Sequence, residues 1–267
     1  MRKPGRSIVV FSCALLAVAG AVAGALAAAV PAARAPAKAA APPAGPGSIS
    51  GIWLNVAYKG SGRYPERERV LLTADGKFPP LQPWAAELLD KRIADSEAGH
   101  PFANTLAQCL PGGVPLMVSG ALIPIQVLET PGQVTILYME GNRHRVIPLN
   151  ASHPAYVDPS YMGDSVGRWE GDTLIVDSVG FKLRTTIDQI GMPHTAALHV
   201  VERYRRSAPD SLEVRIRIED SGTFTQPWDA APVTYRRAPA GTRMEEDICE
   251  NNRNAPDDQG RSGFQHF

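Results

Sequence analysis

Four residues close together in the chain could do acid/base chemistry: Asp188, His194, His199 and Glu202. Histidine suits proton transfer because small environmental shifts carry its pKa across neutrality. A carboxylate bonded to the far ring nitrogen would fix the tautomer and stabilise the imidazolium, and Asp188 and His194 share one loop where they could meet in this way. His199 and Glu202 stand three apart on an expected strand, so they face opposite ways. Glu202 goes with Val200 and Tyr204, and His199 with Val201 and Arg203. The sequence leaves open which face is inside. Each residue also has a plain structural role: His194 after Pro193 could cap a turn, and Glu202 with Arg203 could be an exposed ion pair. A metal site from His194, His199 and a carboxylate matches no strong ligand spacing, so no metal is expected.

A second group lies upstream. Tyr138 shares a strand face with Val134 and Ile136, so its ring should pack inside. Its hydroxyl then needs a partner and could serve as a general acid. His144 and Arg145 follow on the paired strand and alternate in direction, so one of them could approach Tyr138. Trp169 reads as core or cavity wall, and Trp228 and Tyr235 as further aromatic wall. A cavity lined by Trp, Tyr and His, with His199 or Arg145 at its edge, suits an aromatic ligand.

The chain has no His-Glu-x-x-His helix and no phosphate loop. No Gly-x-Gly-x-x-Gly follows a strand, which disfavours a nicotinamide or flavin enzyme. Any chemistry is therefore expected to be acid/base work without a cofactor, or metal-assisted.

The elements that must position these residues are mostly strands. The first, around residues 49–55, carries Gly51-Ile52-Trp53, a Gly-x-Trp step familiar from lipocalin-like barrels, where the Trp packs under the barrel floor; any buried Trp on a first strand would read the same. Residues 83–98 form the one helix. Pro83 starts it at no hydrogen-bond cost, Gly99 ends it, and Trp84, Leu88 and Lys91 or Arg92 share a face that Leu89 and Ile93 widen. Strands are expected at 133–140, 143–149, 173–179, 196–206, 212–219, 233–237 and 243–249. Gly141-Asn142 and Trp169-Glu170-Gly171-Asp172 supply tight turns, and Arg168 could hold Asp172 or Asp177. In 212–219, Leu212, Val214, Ile216 and Ile218 alternate with Glu213, Arg215, Arg217 and Glu219, so one face is buried and one is wet. Nothing alternates as βαβ, which excludes a parallel sheet. The expected fold is mostly β: an antiparallel lipocalin-like barrel of about eight to ten strands with one early helix. A β-sandwich is the alternative.

Around this domain the chain is simple. Arg2, Lys3 and Arg6 precede an apolar run over residues 8–30, the pattern of an export signal ending near residue 27. The run is also long enough for an uncleaved anchor, and Cys13 admits a lipoprotein. Residues 28–48 are rich in Ala, Pro and Gly and read as a linker, residues 49–250 as the barrel, and residues 251–267 as a polar tail. Five of the 27 basic residues precede the barrel, leaving 22 against 27 acidic ones. That balance disfavours a nucleic-acid partner and leaves a small aromatic or apolar molecule as the expected one, with no stable membrane anchor once the signal is cut. Cys109 and Cys249 are an even pair in an oxidising compartment, either bridged or buried as free thiols.

The motifs carry a resemblance over nearly the whole domain. The Cys-Leu-Pro-Gly-Gly-Val-Pro loop at 109–115 is one, and the Gly-Arg-Trp-Glu-Gly-Asp-Thr-Leu-Ile-Val-Asp hairpin at 167–177 is another. Pro193-His194-Thr195, the Leu-His-Val-Val-Glu-Arg strand at 198–203 and Cys249-Glu250-Asn251 complete the set. Together they resemble a group of exported bacterial proteins of largely unassigned function. The resemblance implies an exported lipocalin-like β-barrel, periplasmic or secreted. The chain also looks like some cofactor-free lyases that process lignin-derived aromatic dimers in soil sphingomonads. Two functions are therefore expected: a lyase or isomerase working by acid/base chemistry on an aromatic small molecule, or a non-catalytic periplasmic carrier of such a ligand; a structural envelope protein with a side-chain-filled barrel is a third. In the first, His194, His144 or Tyr138 is acid or base and Asp188 or Glu202 orients it.

Overall fold

The structure, a computed structural model, describes residues 47–56, 70–120 and 124–249. The expected export segment, nearly all of the linker and the polar tail lie outside the described residues. Strands β1 (Gly51–Asn55), β2 (Ile125–Thr130), β3 (Gln133–Tyr138), β4 (Arg143–Pro148) and β5 (Asp164–Glu170) are followed by β6 (Thr173–Val179), β7 (His199–Ala208), β8 (Ser211–Glu219), β9 (Trp228–Asp229) and β10 (Val233–Arg237). They form one antiparallel sheet in the order β4-β3-β2-β1-β10-β8-β7-β6-β5, with β9 pairing β8 outside that path. The sheet curls into a nearly closed nine-strand barrel of the lipocalin-like kind.

Closure occurs where β4 meets β5. Only Leu149 and Gly167 bridge there, with Asn150 N–H donating to the Gly167 carbonyl at 2.7 Å. A Cβ on Gly167 would lie 2.8 Å from Ile147 Cγ2, so the missing side chain lets the two edges approach. Gly171, at φ +63°, turns β5 into β6.

Alternation along each strand selects the inside. Val134, Ile136 and Tyr138, then Val200 and Tyr204, then Leu212, Val214, Ile216 and Ile218 are all buried. Trp53 is fully buried; its indole N–H donates to Ile49 O at 2.8 Å, and the Arg237 guanidinium sits 4.4 Å over its ring.

Helix α1 (Pro83–Glu97) has Pro at its first turn and runs to Ala98. Its buried row is Ala85, Leu89 and Ile93, one position round from the face the sequence suggests. Trp84 is exposed because its indole N–H is drawn to the Gly222 carbonyl, 2.9 Å away on a neighbouring turn. A four-residue helix α2 (Leu116–Ser119) follows.

Two strand expectations need correction. Residues 243–249 carry no strand: the acidic run Glu245-Glu246-Asp247 offers no alternating apolar face, and the segment is instead tethered. Asp247 accepts from Gly141 N–H at 2.6 Å, and Cys249 is disulfide-bonded to Cys109, with Cα atoms 5.3 Å apart. In turn β2 and β5 were not legible as separate strands. Among the described residues no helix is long and apolar enough to cross a membrane. The disulfide fits an oxidising compartment.

Candidate functional site

Three places gather the residues with chemical potential. The first is inside the barrel. Arg145, on the β4 edge, reaches across the seam into the facing wall. Its guanidinium donates to Ser165 Oγ on β5 (2.9 Å), to Ser178 Oγ on β6 (2.6 Å) and to both carboxylate oxygens of Glu202 on β7, at 3.0 Å for Oε1. Ser165 and Ser178 bond each other at 3.0 Å, and the Tyr204 hydroxyl donates to Glu202 Oε1 at 2.6 Å. Burial alone would lower the Arg145 pKa, but the charge and hydrogen bonds of Glu202 hold it above its ordinary value. All three guanidinium nitrogens of Arg145 are thereby hydrogen-bonded. Where the backbone ladder is nearly absent, this pair and its serines tie β4 to β5, β6 and β7. Tyr138 lies beside them. Its buried hydroxyl has no hydrogen-bond partner, and burial pushes its pKa up to about 12, so it stays protonated. Tyr235 donates to the Val118 carbonyl.

The second place is the outer wall. His199 is on the face opposite Glu202, as the strand period requires. Its Nε2 lies 2.9 Å from Asp177 Oδ1, and its Nδ1 lies 3.5 Å from Glu219. His153 meets the same Asp177 oxygen at 3.1 Å and also bonds Asp164. Partial burial pulls the His153 pKa down, but the bonds and charges of Asp164 and Asp177 outweigh it and leave it raised. Arg168 pairs with Glu170 at 2.6 Å, and Asp172 pairs with Arg205 at 3.0 Å; neither Asp172 nor Asp177 is held by Arg168.

The third place is a cavity of about 250 Å³ among the loops. Arg92, Phe102, Gln108, Arg184, Thr185 and Pro193 are among the residues that line it. His194, buried to 6% exposure, does not line it but lies behind Thr185, which does. Its Nδ1 is 2.8 Å from the Thr195 carbonyl, which can only accept, so Nδ1 carries the proton. Its Nε2 faces Thr185 Oγ1 at 2.8 Å, while the same hydroxyl is 2.8 Å from the Lys182 carbonyl. One hydroxyl proton is thus wanted by two acceptors. Protonating His194 would satisfy both, yet burial lowers the His194 pKa. Thr195 is fixed in turn by Asp220, which accepts from its N–H and from its hydroxyl, both at 2.6 Å.

The expected Asp188–His194 pair does not form. Asp188 accepts from the backbone N–H of Gly191 (2.9 Å), Met192 (2.9 Å) and Leu71 (3.1 Å). Burial raises its pKa, and those bonds oppose the rise. It shapes the loop that presents His194. His144 points outward and is exposed, because Arg145 takes the inward position. Trp169 is half-buried against the core, and buried Trp228 packs edge-on to Phe224 with ring centroids 5.4 Å apart. Neither borders the cavity. Sequence reasoning missed Thr185, Thr195, Asp220 and Arg184. Small hydroxyls gain meaning only once a histidine is seen beside them. Among the described residues no cluster of His, Cys, Asp and Glu could hold a metal ion.

Comparison with known protein families, with curated proteins and with solved structures finds no match for this chain.

Proposed function

We propose that the protein is an exported, cofactor-independent lyase or isomerase that binds an aromatic small molecule in the cavity beside His194. A single observation carries this reading: a histidine held in one tautomer, with its free nitrogen on the hydroxyl of Thr185, a residue that lines the cavity. That is the arrangement of a base within hydrogen-bond reach of the group it deprotonates, with a third group orienting the base. Thr185 would take a proton from the ligand as it passes its own to His194 Nε2. The resulting imidazolium donates at both nitrogens to Thr195 and Thr185. Lignin-derived aromatic compounds, the chemistry suggested by the resemblance of the motifs, are the substrates to try first.

Turnover of such compounds, followed by chromatography and mass spectrometry, should fall about 10²–10⁴-fold in His194→Ala. The acidic limb of the pH profile should lie below the ordinary histidine value of about 6.5, since burial favours the neutral ring. Undiminished turnover in a folded His194→Ala protein contradicts the proposal. A carrier without chemistry is the second reading. It is favoured by one fact: among the described residues no carboxylate hydrogen-bonds the His194 ring, Asp188 being engaged by three backbone N–H groups.

A further inference from the structure

The cavity beside His194 has an electrostatic character that acid/base chemistry does not require. Two guanidinium groups, Arg92 and Arg184, border it. Among the described residues neither has a carboxylate within ion-pair distance, although the other arginines of the barrel wall commonly do. Each is instead positioned by a neutral acceptor. Arg92 donates to the Gly191 carbonyl and stacks 3.8 Å over the Phe102 ring. Arg184 donates to the Gln108 side-chain oxygen, and the Gln108 amide is itself tied to the Ala103 carbonyl at 2.7 Å. A carboxylate partner would fix a guanidinium and cancel its charge; a carbonyl fixes it and leaves the charge in place. Desolvation lowers the pKa of half-buried Arg92 by more than the charge of Asp188 raises it, so the guanidinium keeps its charge at a cost that an incoming anion would offset. Asp188 adds its charge near Arg92 without an ion-pair contact, and its oxygens are buried and engaged by backbone N–H groups.

We infer that the cavity is a carboxylate-binding site for a single-ring aromatic acid. Arg92 and Arg184 hold the carboxylate, and Leu183 and Pro193 meet the ring. Planar guanidinium donors suit a carboxylate. At about 250 Å³ the cavity falls below the range of roughly 300–1,000 Å³ typical of drug-sized ligands. One ring fits, and a second would have to lie outside. This inference rests on the cavity being the functional site, and it names the ligand class that site selects.

The test is binding alone, so it stands or falls apart from turnover. Benzoate and its neutral isostere benzamide are titrated into the full-length protein and followed by calorimetry. Benzoate should bind at least about tenfold more tightly, the scale of one charge-assisted hydrogen bond. Arg92→Met with Arg184→Met should erase that preference. Arg184→Met alone, at an exposed position that leaves the core untouched, should reduce it. His194→Ala should keep it, even as turnover is lost. Equal affinity for the two probes, absence of saturable benzoate binding, or an unchanged preference in folded Arg184→Met overturns the inference.

Discussion

Arg145 inside the barrel and Arg92 with Arg184 at the loop cavity use one side chain to opposite ends. Arg145 is almost fully buried, and serine hydroxyls and both oxygens of Glu202 receive its donors. All three of its guanidinium nitrogens are engaged within the protein. The cavity pair is held by a backbone carbonyl and a side-chain amide, and among the described residues no carboxylate forms an ion pair with it. A buried ion pair adds little to stability compared with apolar residues of the same size, but losing one partner is expensive. The interior pair therefore behaves as a clamp on the barrel seam, and the open pair as a receptor. The comparison teaches that satisfaction of a charged group separates scaffold from site better than burial does.

The largest effect should come from breaking the clamp. Arg145→Leu leaves Glu202 buried without its cation and should cost about 3–5 kcal/mol in denaturant unfolding. Arg145→Met combined with Glu202→Leu should recover most of that loss; no recovery would show that the charge pair itself, and not its completeness, supports the seam. Next comes the disulfide. Cys109→Ser opens a loop of 140 residues and should cost about 2–5 kcal/mol by the same measurement. At the cavity, by contrast, Arg184→Met should change stability by no more than about 0.5 kcal/mol while altering binding. The smallest effect lies on the outer wall. His153 has a raised pKa in the folded state, so its contribution is full below the unfolded value of about 6.5. It is lost as pH rises through the folded pKa. The stability gap between the native protein and His153→Gln should accordingly be widest in acid and shrink in base, as read from unfolding midpoints across pH. A gap that widens in base reverses the assignment.

Much of the frame was legible because period and turns report local physics. The alternation in β8, the Gly171 turn and the helix start at Pro83 emerge as expected. The strand period also separated His199 from Glu202, although only the closed barrel shows that Glu202 is the inward one. What remained hidden depends on contacts remote in sequence. Arg145 meets Glu202 across 57 positions, and Thr195 meets Asp220 across 25. Asp188 and His194, neighbours in one loop, turn to different partners because three backbone N–H groups reach the carboxylate first. The face of α1 was misjudged by one position because the Gly222 carbonyl that draws Trp84 out lies far along the chain.

The most direct test of the contrast between the two arginine sites is a heteronuclear NMR titration of the isotope-labelled protein with benzoate. The account predicts saturable shifts at Gln108, Leu183, Thr185 and Thr186 and at the Arg92 and Arg184 side chains, with Tyr138, Ser165, Ser178 and Glu202 unmoved. Shifts centred on the Arg145–Glu202 cluster, with the loop cavity silent, would contradict it.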